Sequence, residues 1–334
     1  MSDNITIKDV AREAGVSITT VSLILNNKAK NISLATIQRV NDVCKKLNFS
    51  RNVFACSLKN KESKIIGLII PDLENTYYAR VANIISTKAG EQGYITIISS
   101  TNNDFDKEMK FIMEMGMRRV DALLLFPSTS SLKENNLKLL HEVINASKLK
   151  IVLIDRLADI EKCSAIINDN ASGAVMATDY LINKGYKHIA CITGPEYLSS
   201  SVERLNGYKE SLKKHHIPFN KDLVFVGDYS FNTAKSIAEM ILKNKDIDAI
   251  FAFNDESAYA VYDVADKLNL KVGIDIALIG YDDNPFSNLI SPKLSSVRQN
   301  VEQMCDLAID YLIHDKPVEI IRVEPTLIER DSAL

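Results

Sequence analysis

The sequence predicts a small all-α head with a helix-turn-helix, followed by an α/β body of two doubly wound lobes with parallel sheets. Short helical segments separated by turn residues fill residues 1–49. From Lys64 onward, apolar runs of strand length alternate with helical segments, which is typical of parallel sheets covered by helices on both faces. The length of 334 residues is that of two or three domains.

Capping and turn residues divide the head into three predicted helices. Thr6 can cap the first helix, with Asp9 at the position that completes a capping box, and Gly15 ends it. Ser17 can cap a second short helix, and Ser33 opens a third. The apolar residues between these caps follow helical spacing, so each helix has one face to bury.

The first two helices of the head have the spacing of a DNA-binding motif. A helix, a turn containing glycine and a second short helix follow one another in ITIKDVAREAGVSITTVSLILNN. In such a helix-turn-helix the second helix lies in the major groove of DNA. The positions predicted to be exposed on it are Ile18, Thr19, Ser22 and Leu23, and those predicted to face inward are Val21, Ile24 and Leu25. A helical bundle of no special function is the alternative, and exposed Ile18 and Leu23 count against it.

The charge of the chain is divided unevenly between head and body. The net charge is −3, but residues 1–60 carry nine Lys or Arg against four Asp or Glu, about +5, which leaves about −8 for the other 274 residues. A basic segment on an acidic body is typical of a module that binds a polyanion. Charge and motif together predict that residues 1–49 form a DNA-binding domain.

Nine apolar runs of strand length follow in the body. They are residues 65–70, 94–99, 122–126, 151–154, 165–167, 188–193, 223–226, 249–253 and 276–280. Nine strands exceed one doubly wound unit, so we expect two lobes divided near residue 160. The last segment, a helix and two strands, is too short for a third lobe. The predicted first lobe comprises residues 62–160 and 293–318, and the second comprises residues 161–292 and 319–334.

Several classes of protein are disfavoured by missing motifs. The twelve glycines form no GxGxxG, GxxxxGK[ST] or GxSxG motif, and the five histidines form no HExxH. We therefore expect no enzyme, no cofactor and no metal site. The five cysteines never form CxxC, no apolar run approaches 18 residues, and the first ten residues lack the features of a secretory signal. These observations favour a cytoplasmic protein without a membrane segment.

Several strings of the sequence resemble the LacI–GalR family of bacterial transcription regulators. The most specific are TIKDVA, AGVS and TVS in the head. Further matches in the body include KIIGLIIPDLENTYYARV, GYKHIACITGP, FAFNDESA and ALIGYDDNP. The resemblance covers essentially the whole chain. It implies a periplasmic-binding-protein-like pair of lobes, with effector binding and dimerisation in residues 62–334 and a hinge helix and linker in residues 50–61.

The resemblance also implies which residues of the head contact DNA. The positions that contact bases in the family match Ile18, Thr19 and Leu23. Positions nearer the phosphates match Thr20, Ser22 and Asn26, and the predicted set is completed by Thr6, Ser17 and Asn52. Two aliphatic side chains among the base-contacting positions suit contact with thymine methyl groups.

In the body, the carboxyl ends of parallel strands are where ligands gather between two α/β lobes. These ends carry Asp72, Ser100, Asp155 with Arg156, Gly194, Asn254 with Asp255, and Asp282. The effector-binding residues that the resemblance implies are Tyr77, Tyr78, Asp155, Asp169, Arg204, Tyr229, Asn254 and Asp282. A forked arginine with carboxylate and amide acceptors beside aromatic faces suits a polyol. Leu198 stands where purine-responsive relatives have an arginine, which favours a neutral sugar or glycoside.

These observations together predict a sequence-specific transcription regulator, most often a repressor in this family, that a small ligand controls. We expect its partners to be double-stranded DNA with a palindromic operator, a small effector and a second copy of the chain. A dimer is expected and not a tetramer, since tetrameric relatives append a leucine heptad helix after the segment matched by TLIER. The alternatives are the solute-binding protein of a sugar transporter, a purine-responsive regulator of the same family, and an α/β enzyme tethered to DNA.

The hinge is predicted to kink the operator. Leu58 matches a family leucine that wedges into the minor groove together with its copy from the second subunit, and Lys59 lies beside it. Arg51 and Cys56 depart from the family pattern, in which a proline and an Arg or Gln are usual. A less pre-organised free hinge is the expected consequence of the missing proline.

We expect Leu58→Ala to weaken specific operator binding by roughly 2–4 kcal/mol, because the wedge is lost, and to leave non-specific binding intact. Titration of operator and scrambled DNA at several salt concentrations measures both. An equal loss in the two kinds of binding would show that Leu58 only supports folding.

Overall fold

The computed structural model describes residues 5–25, 28–49, 62–158 and 160–334. The chain divides into two compact units, Met1–Ser63 and Lys64–Leu334. The first is the helical head and the second is the α/β body. The predicted hinge, residues 50–61 with Asn52, Leu58 and Lys59, lies outside the described residues, and so does Asn26.

The head contains the three predicted helices, α1 Ile7–Ala14, α2 Ile18–Leu25 and α3 Leu34–Lys46. The carboxylate of Asp9 accepts hydrogen bonds from the Thr6 backbone N–H at 3.0 Å and from the Thr6 hydroxyl at 2.6 Å. These bonds lower the pKa of Asp9. Gly15 ends α1 in the left-handed conformation, with φ at 63°. The buried side chains of the three helices are Val10, Ala11, Ala14, Val21, Ile24 and Val40.

The body alternates strands and helices as predicted. Its elements, in chain order, are β1 Ile65–Ile70, α4 Thr76–Glu91, β2 Ile95–Ser100, α5 Phe105–Met117, β3 Ala122–Leu125, α6 Glu134–Ala146, β4 Lys150–Ile154, β5 Ser164–Asn168, α7 Asn170–Asn183, β6 Ile189–Thr193, α8 Ser199–Lys214, β7 Val224–Val226, α9 Phe231–Ile241, β8 Ala249–Ala252, α10 Asp255–Lys267, β9 Ala277–Asp282, β10 Ser295–Arg298, α11 Val301–Ile313, β11 Ile320–Val323 and β12 Thr326–Ile328. All nine predicted apolar runs form strands. Apolar clusters lie on both faces of each sheet, as parallel sheets require.

The strands form two sheets of six, one in each lobe. The order is β11-β5-β4-β3-β1-β2 in the first and β12-β10-β9-β8-β6-β7 in the second. All pairings are parallel except that of β10 with β12. The chain crosses between the lobes after β5, between β10 and α11, and between β11 and β12.

The predicted lobe boundaries are wrong at three strands. β5 and β11 were expected in the second lobe, within residues 161–292 and 319–334, but both pair in the first sheet. β10 falls within residues 293–318, expected in the first lobe, yet it pairs with β9 in the second sheet. Backbone ladders decide these memberships: Val152 of β4 faces Ser164, which draws β5 onto the first sheet before the chain crosses.

Asp255 ties together three segments of the second lobe. Its fully buried carboxylate accepts hydrogen bonds from the Asn284 backbone N–H at 2.7 Å and from the hydroxyls of Ser287 and Ser296 at 2.6 Å each. Gly280 leaves room for it, since a Cβ there would lie 2.2 Å from the carboxylate. Burial raises the pKa of Asp255 to about 6.

We expect Asp255→Ala to lower the free energy of unfolding by about 3 kcal/mol or more, because it leaves three buried donors unpaired. Urea unfolding measures this. Asp266→Ala, at the exposed end of the same helix, is the matched control and should change stability by less than about 0.5 kcal/mol. Equal effects of the two substitutions would contradict the bracing role of Asp255.

Candidate functional site

The outer face of α2 carries the predicted DNA contacts. Ser17 caps the helix, since its hydroxyl accepts from the Thr20 N–H at 3.0 Å. Ile18 and Leu23 are exposed to 44% and 38%, and Thr19 is exposed beside them. Apolar side chains at this degree of exposure in a short helix are available to a partner surface. The predicted roles of Thr20 and Ser22, both half-buried, stay predictions.

The basic residues of the head differ in their pairing. Arg12 pairs with Asp9 at 2.6 Å and Lys46 with Glu13 at 2.8 Å. Within residues 5–25 and 28–49, five basic side chains form no ion pair with any described residue. They are Lys8, Lys28, Lys30, Arg39 and Lys45. These five positive charges are therefore available to phosphates.

A cavity of about 440 Å³ lies between the two lobes of the body. It is strongly acidic, because six carboxylates and two guanidinium groups line it. The carboxylates belong to Asp72, Glu74, Asp155, Asp228, Glu256 and Asp282, and the guanidinium groups to Arg156 and Arg204. Its volume is in the range of small-molecule sites.

Seven of the eight predicted effector-binding residues line this cavity. They are Tyr77, Tyr78, Asp155, Arg204, Tyr229, Asn254 and Asp282. Asp169 is not among the lining residues, and its role in effector binding stays a prediction. Its carboxylate caps α7 instead, accepting from the Ser172 N–H at 3.1 Å and from the Ser172 hydroxyl at 2.7 Å.

Arg204 is held rigidly on the second-lobe side. It is only 5% exposed, its Nε donates to Asn170 Oδ1 at 2.9 Å, and its Nη1 donates to the Phe253 carbonyl. The guanidinium carbon lies 3.6 Å from the centre of the Tyr281 ring. Within the described part of the chain no hydrogen bond engages Nη2, so this group can donate to a ligand.

Tyr229 lines the cavity and is fixed by two neighbours. Asn254 caps α10 through its Oδ1 and donates from Nδ2 to the Tyr229 carbonyl at 3.0 Å. The Tyr229 ring rests on Gly194, where a Cβ would lie 2.2 Å from ring atoms. Asn254 therefore positions Tyr229 as well as lining the cavity itself.

The first-lobe side presents a carboxylate and a guanidinium. The Tyr77 hydroxyl donates to Asp155 at 2.7 Å. Arg156 donates to the Tyr78 hydroxyl at 2.6 Å, to the Pro127 carbonyl at 2.9 Å and to Thr129 at 3.1 Å. Arg156 followed from the strand-end rule but was not among the residues implied by the resemblance.

Gln299 is one of the lining residues of the cavity that no sequence pattern indicated. It is 3% exposed and lies at the crossing between β10 and α11. Its Nε2 donates to Asp282 at 2.5 Å, and its Oε1 contacts the Tyr77 hydroxyl at 3.1 Å and the Asn168 amide. Gln299 directly follows β10, so a prediction of this strand would have indicated it as a strand-end residue. β10 was not predicted because its SSVR sequence lacks an apolar run.

Three residues that line the cavity have strained backbone, and two of its carboxyls have raised pKa values. Asp155, Tyr229 and Asp282 have φ of 69°, 70° and 116°, in the region that favours glycine. Burial raises the pKa of Asp282 well above its ordinary value, against the attraction of Arg204. Burial also raises the pKa of Asp155, against Arg156 and the Tyr77 hydrogen bond. Such groups cluster at ligand sites.

Leu198 does not line the cavity. Its side chain is 1% exposed and lies in an apolar cluster with first-lobe residues such as Leu132, Ala158 and Ile160. Leu198 is the N-cap residue directly before α8 of the second lobe, so this contact joins the lobes.

The described residues offer neither a metal site nor a membrane-spanning helix. Residues 5–25, 28–49, 62–158 and 160–334 contain no group of three or more His, Cys, Asp or Glu side chains placed to hold a metal ion. No helix in these ranges has the length and apolar character to cross a membrane.

We expect Gly194→Ala to displace the Tyr229 ring and to lower the free energy of unfolding by about 1–3 kcal/mol, because the added methyl group overlaps the ring. Urea unfolding measures the change. Gly90→Ala in α4 meets no atom within 4 Å and should stabilise the protein by less than about 1 kcal/mol. The same sign for both substitutions would contradict the packing described for Tyr229.

Comparison with known proteins supports both units. Residues 6–52 match the family model described as "Bacterial regulatory proteins, lacI family", and residues 178–333 match "Periplasmic binding protein-like domain". The chain is 32% identical to the "HTH-type transcriptional repressor PurR" of Aliivibrio fischeri strain MJ11, over 98% of each protein. It is also 32% identical to the "Ribose operon repressor" of Escherichia coli K12, over 98% of the chain and 99% of the relative.

A solved structure resembles the whole chain. The "transcriptional regulator CelR-cellobiose complex" superposes with a TM-score of 0.70 at 25% identity, over 98% of this chain and 99% of that one. The predicted fold class, a helical head with a two-lobed parallel α/β body, is confirmed, and so is the predicted family resemblance.

Proposed function

The chain belongs to the LacI family of bacterial transcription regulators, and we propose that it is a repressor whose operator binding is controlled by a neutral, hydroxyl-rich effector in the interlobe cavity. One observation carries the second half of this proposal. The Nη2 group of Arg204, which makes no hydrogen bond to the described residues, lines the same cavity as carboxylate acceptors from both lobes and the ring of Tyr229.

The proposed DNA contacts use the exposed face of α2 and its surroundings. Ile18, Thr19 and Leu23 contact base edges, the aliphatic pair through thymine methyl groups. The phosphate contacts are proposed for Thr20, Ser22 and Asn26, and Leu58 and Lys59 lie at the minor groove. Thr6, Ser17 and Asn52 complete the proposed DNA contacts. The five unpaired cations of the head supply the salt-dependent part of the affinity.

The charge of the cavity selects among effectors. Six carboxylates against two guanidinium groups repel an anionic ligand, and Arg156 already donates to three protein groups. A sugar hydroxyl can accept from Arg204 and donate to Asp282 or Asp155 at once. The names of two similar proteins contain a sugar: one is a ribose operon repressor and the other is a regulator in complex with cellobiose. A sugar or glycoside is therefore the proposed effector, and a purine is the competing outcome of the test.

Control of DNA binding follows from contacts to both lobes. Asp155 belongs to the first lobe, whereas Arg204 and Asp282 belong to the second, so a ligand held by all three favours one lobe arrangement. In a two-fold dimer the lobe arrangement sets the spacing of two hinges, and the spacing must match two half-sites of a palindrome. We propose no catalytic step, since the relatives are transcriptional repressors, and we place the protein in the cytoplasm with its DNA.

The function is tested by selecting the operator from genomic fragments and measuring its binding by fluorescence anisotropy. Added D-ribose, cellobiose, other glycosides and hypoxanthine are then compared for their effect on affinity. The proposal expects palindromic fragments and a response to a sugar. A response to hypoxanthine alone would overturn the sugar assignment, and the absence of any selected sequence would overturn the regulator.

We expect Arg204→Ala and Asp282→Ala to retain operator binding and to weaken effector binding by about tenfold or more, because buried polar groups lose their partners. Calorimetry measures the effector and anisotropy measures the operator. Lys213→Ala, on the exposed side of α8, is the matched control. Unchanged effector affinity in both site variants would show that the ligand binds elsewhere.

A further inference from the structure

A chain of four polar contacts connects the two lobes through the cavity wall. The Tyr77 hydroxyl lies 2.7 Å from an Asp155 oxygen and 3.1 Å from Gln299 Oε1. The Asn168 amide nitrogen donates to the same Oε1, and Gln299 Nε2 lies 2.5 Å from an Asp282 oxygen. Each of these contacts needs one hydrogen between its two heavy atoms.

The chain is short of one hydrogen when both carboxylates are ionised. Tyr77, Asn168 and Gln299 then supply one each, so three hydrogens serve four contacts. The Tyr77 hydroxyl can donate to Asp155 or to Gln299 but not to both. One pair of oxygen atoms is left facing each other with no hydrogen between them.

Reversing the two side-chain amides does not remove the shortage. With both turned over, Gln299 donates to Tyr77 and to Asn168, and Tyr77 donates to Asp155. The Gln299 oxygen then faces the Asp282 carboxylate at 2.5 Å, again with no hydrogen between them. A proton on Asp155 completes the chain in the first orientation, and a proton on Asp282 completes it in the second.

We propose that Asp155 and Asp282 share one bound proton in the ligand-free protein, and that binding of a hydroxylated effector releases it. The proposal rests on the proposed effector site and adds a regulatory property to it. A sugar brings its own O–H donors to the two carboxylates, so both can be ionised in the complex. The protonated pair and the ligand thus give the ionised pair with ligand bound, and the proton passes to solvent.

Burial and the nearby Asp255 oppose a second negative charge on the pair, whereas two guanidinium groups favour it. The titratable and charged neighbours are Tyr78, Arg156, Arg204, Tyr229, Asp255 and Tyr281. Both guanidinium groups favour ionisation, but each already donates to protein acceptors. Burial raises the pKa of both carboxyls, and the nearby Asp255 adds to the rise at Asp282. The hydrogen-bond geometry and the buried environment therefore both favour one bound proton on this pair of carboxyls.

The sign of the pH dependence follows from the released proton. Below the apparent pKa of the pair, the association constant for a sugar should rise about tenfold per pH unit, since binding requires loss of one proton. Above that pKa the constant should be independent of pH. The apparent pKa belongs to the pair and not to either residue.

The shared proton is tested without any ligand by carbon-13 NMR of the full chain labelled at its aspartate carboxyl carbons, between about pH 4 and pH 8. The proposal expects one carboxyl, besides Asp255, to titrate well above the ordinary aspartate value. It should be lost in both Asp155→Asn and Asp282→Asn, whereas Asp255→Asn should leave it, at a lower midpoint because a neighbouring negative charge is removed. Ordinary titration of both carboxyls in the wild-type protein would overturn the proposal.

Proton release is tested by calorimetry of the wild-type protein with D-ribose and cellobiose, in buffers that differ in ionisation enthalpy. About one proton released per bound sugar, at a pH below the midpoint found by NMR, is expected. Sugar binding without proton release would overturn the proposal and leave the sugar assignment standing. If neither sugar binds, the proposed effector class fails, and the NMR titration alone decides the shared proton.

Discussion

The structure of the cavity depends on one buried glutamine at a crossing between the lobes. Gln299 contacts Tyr77 and Asn168 of the first lobe through one end of its amide and Asp282 of the second through the other. Because the chain crosses three times on this side, the carboxyl ends of both sheets converge on the same space. The acidic cavity follows from that convergence. Gln299 links its two walls, because it contacts polar groups of both lobes.

The walls are preorganised by groups that do not line the cavity. Asn170 and the Phe253 carbonyl orient Arg204, and Gly194 gives the Tyr229 ring its place. Strained backbone at the carboxylates is retained because the surrounding contacts over-determine it. Orientation of this kind lowers the cost of ordering side chains on binding.

The sequence predicted what local patterns decide and missed what distant pairing decides. Helix caps such as Thr6 and Ser17, and all nine apolar strands, follow from nearby residues and were correct. The lobe memberships of β5, β10 and β11 were wrong because backbone ladders with remote strands decide them. Seven cavity residues followed from strand ends and family motifs, whereas Gln299 became a site residue only through the packing of segments far apart in the chain.

The central claim is that residues of both lobes close on one neutral, hydroxylated molecule. A crystal structure of the protein with a sugar that raises its melting temperature tests this most directly. The account predicts sugar hydroxyls within hydrogen-bond distance of Arg204 Nη2, Asp282 and Asp155, under the Tyr229 ring. A sugar bound outside this cavity, or an anionic molecule held inside it, would contradict the account.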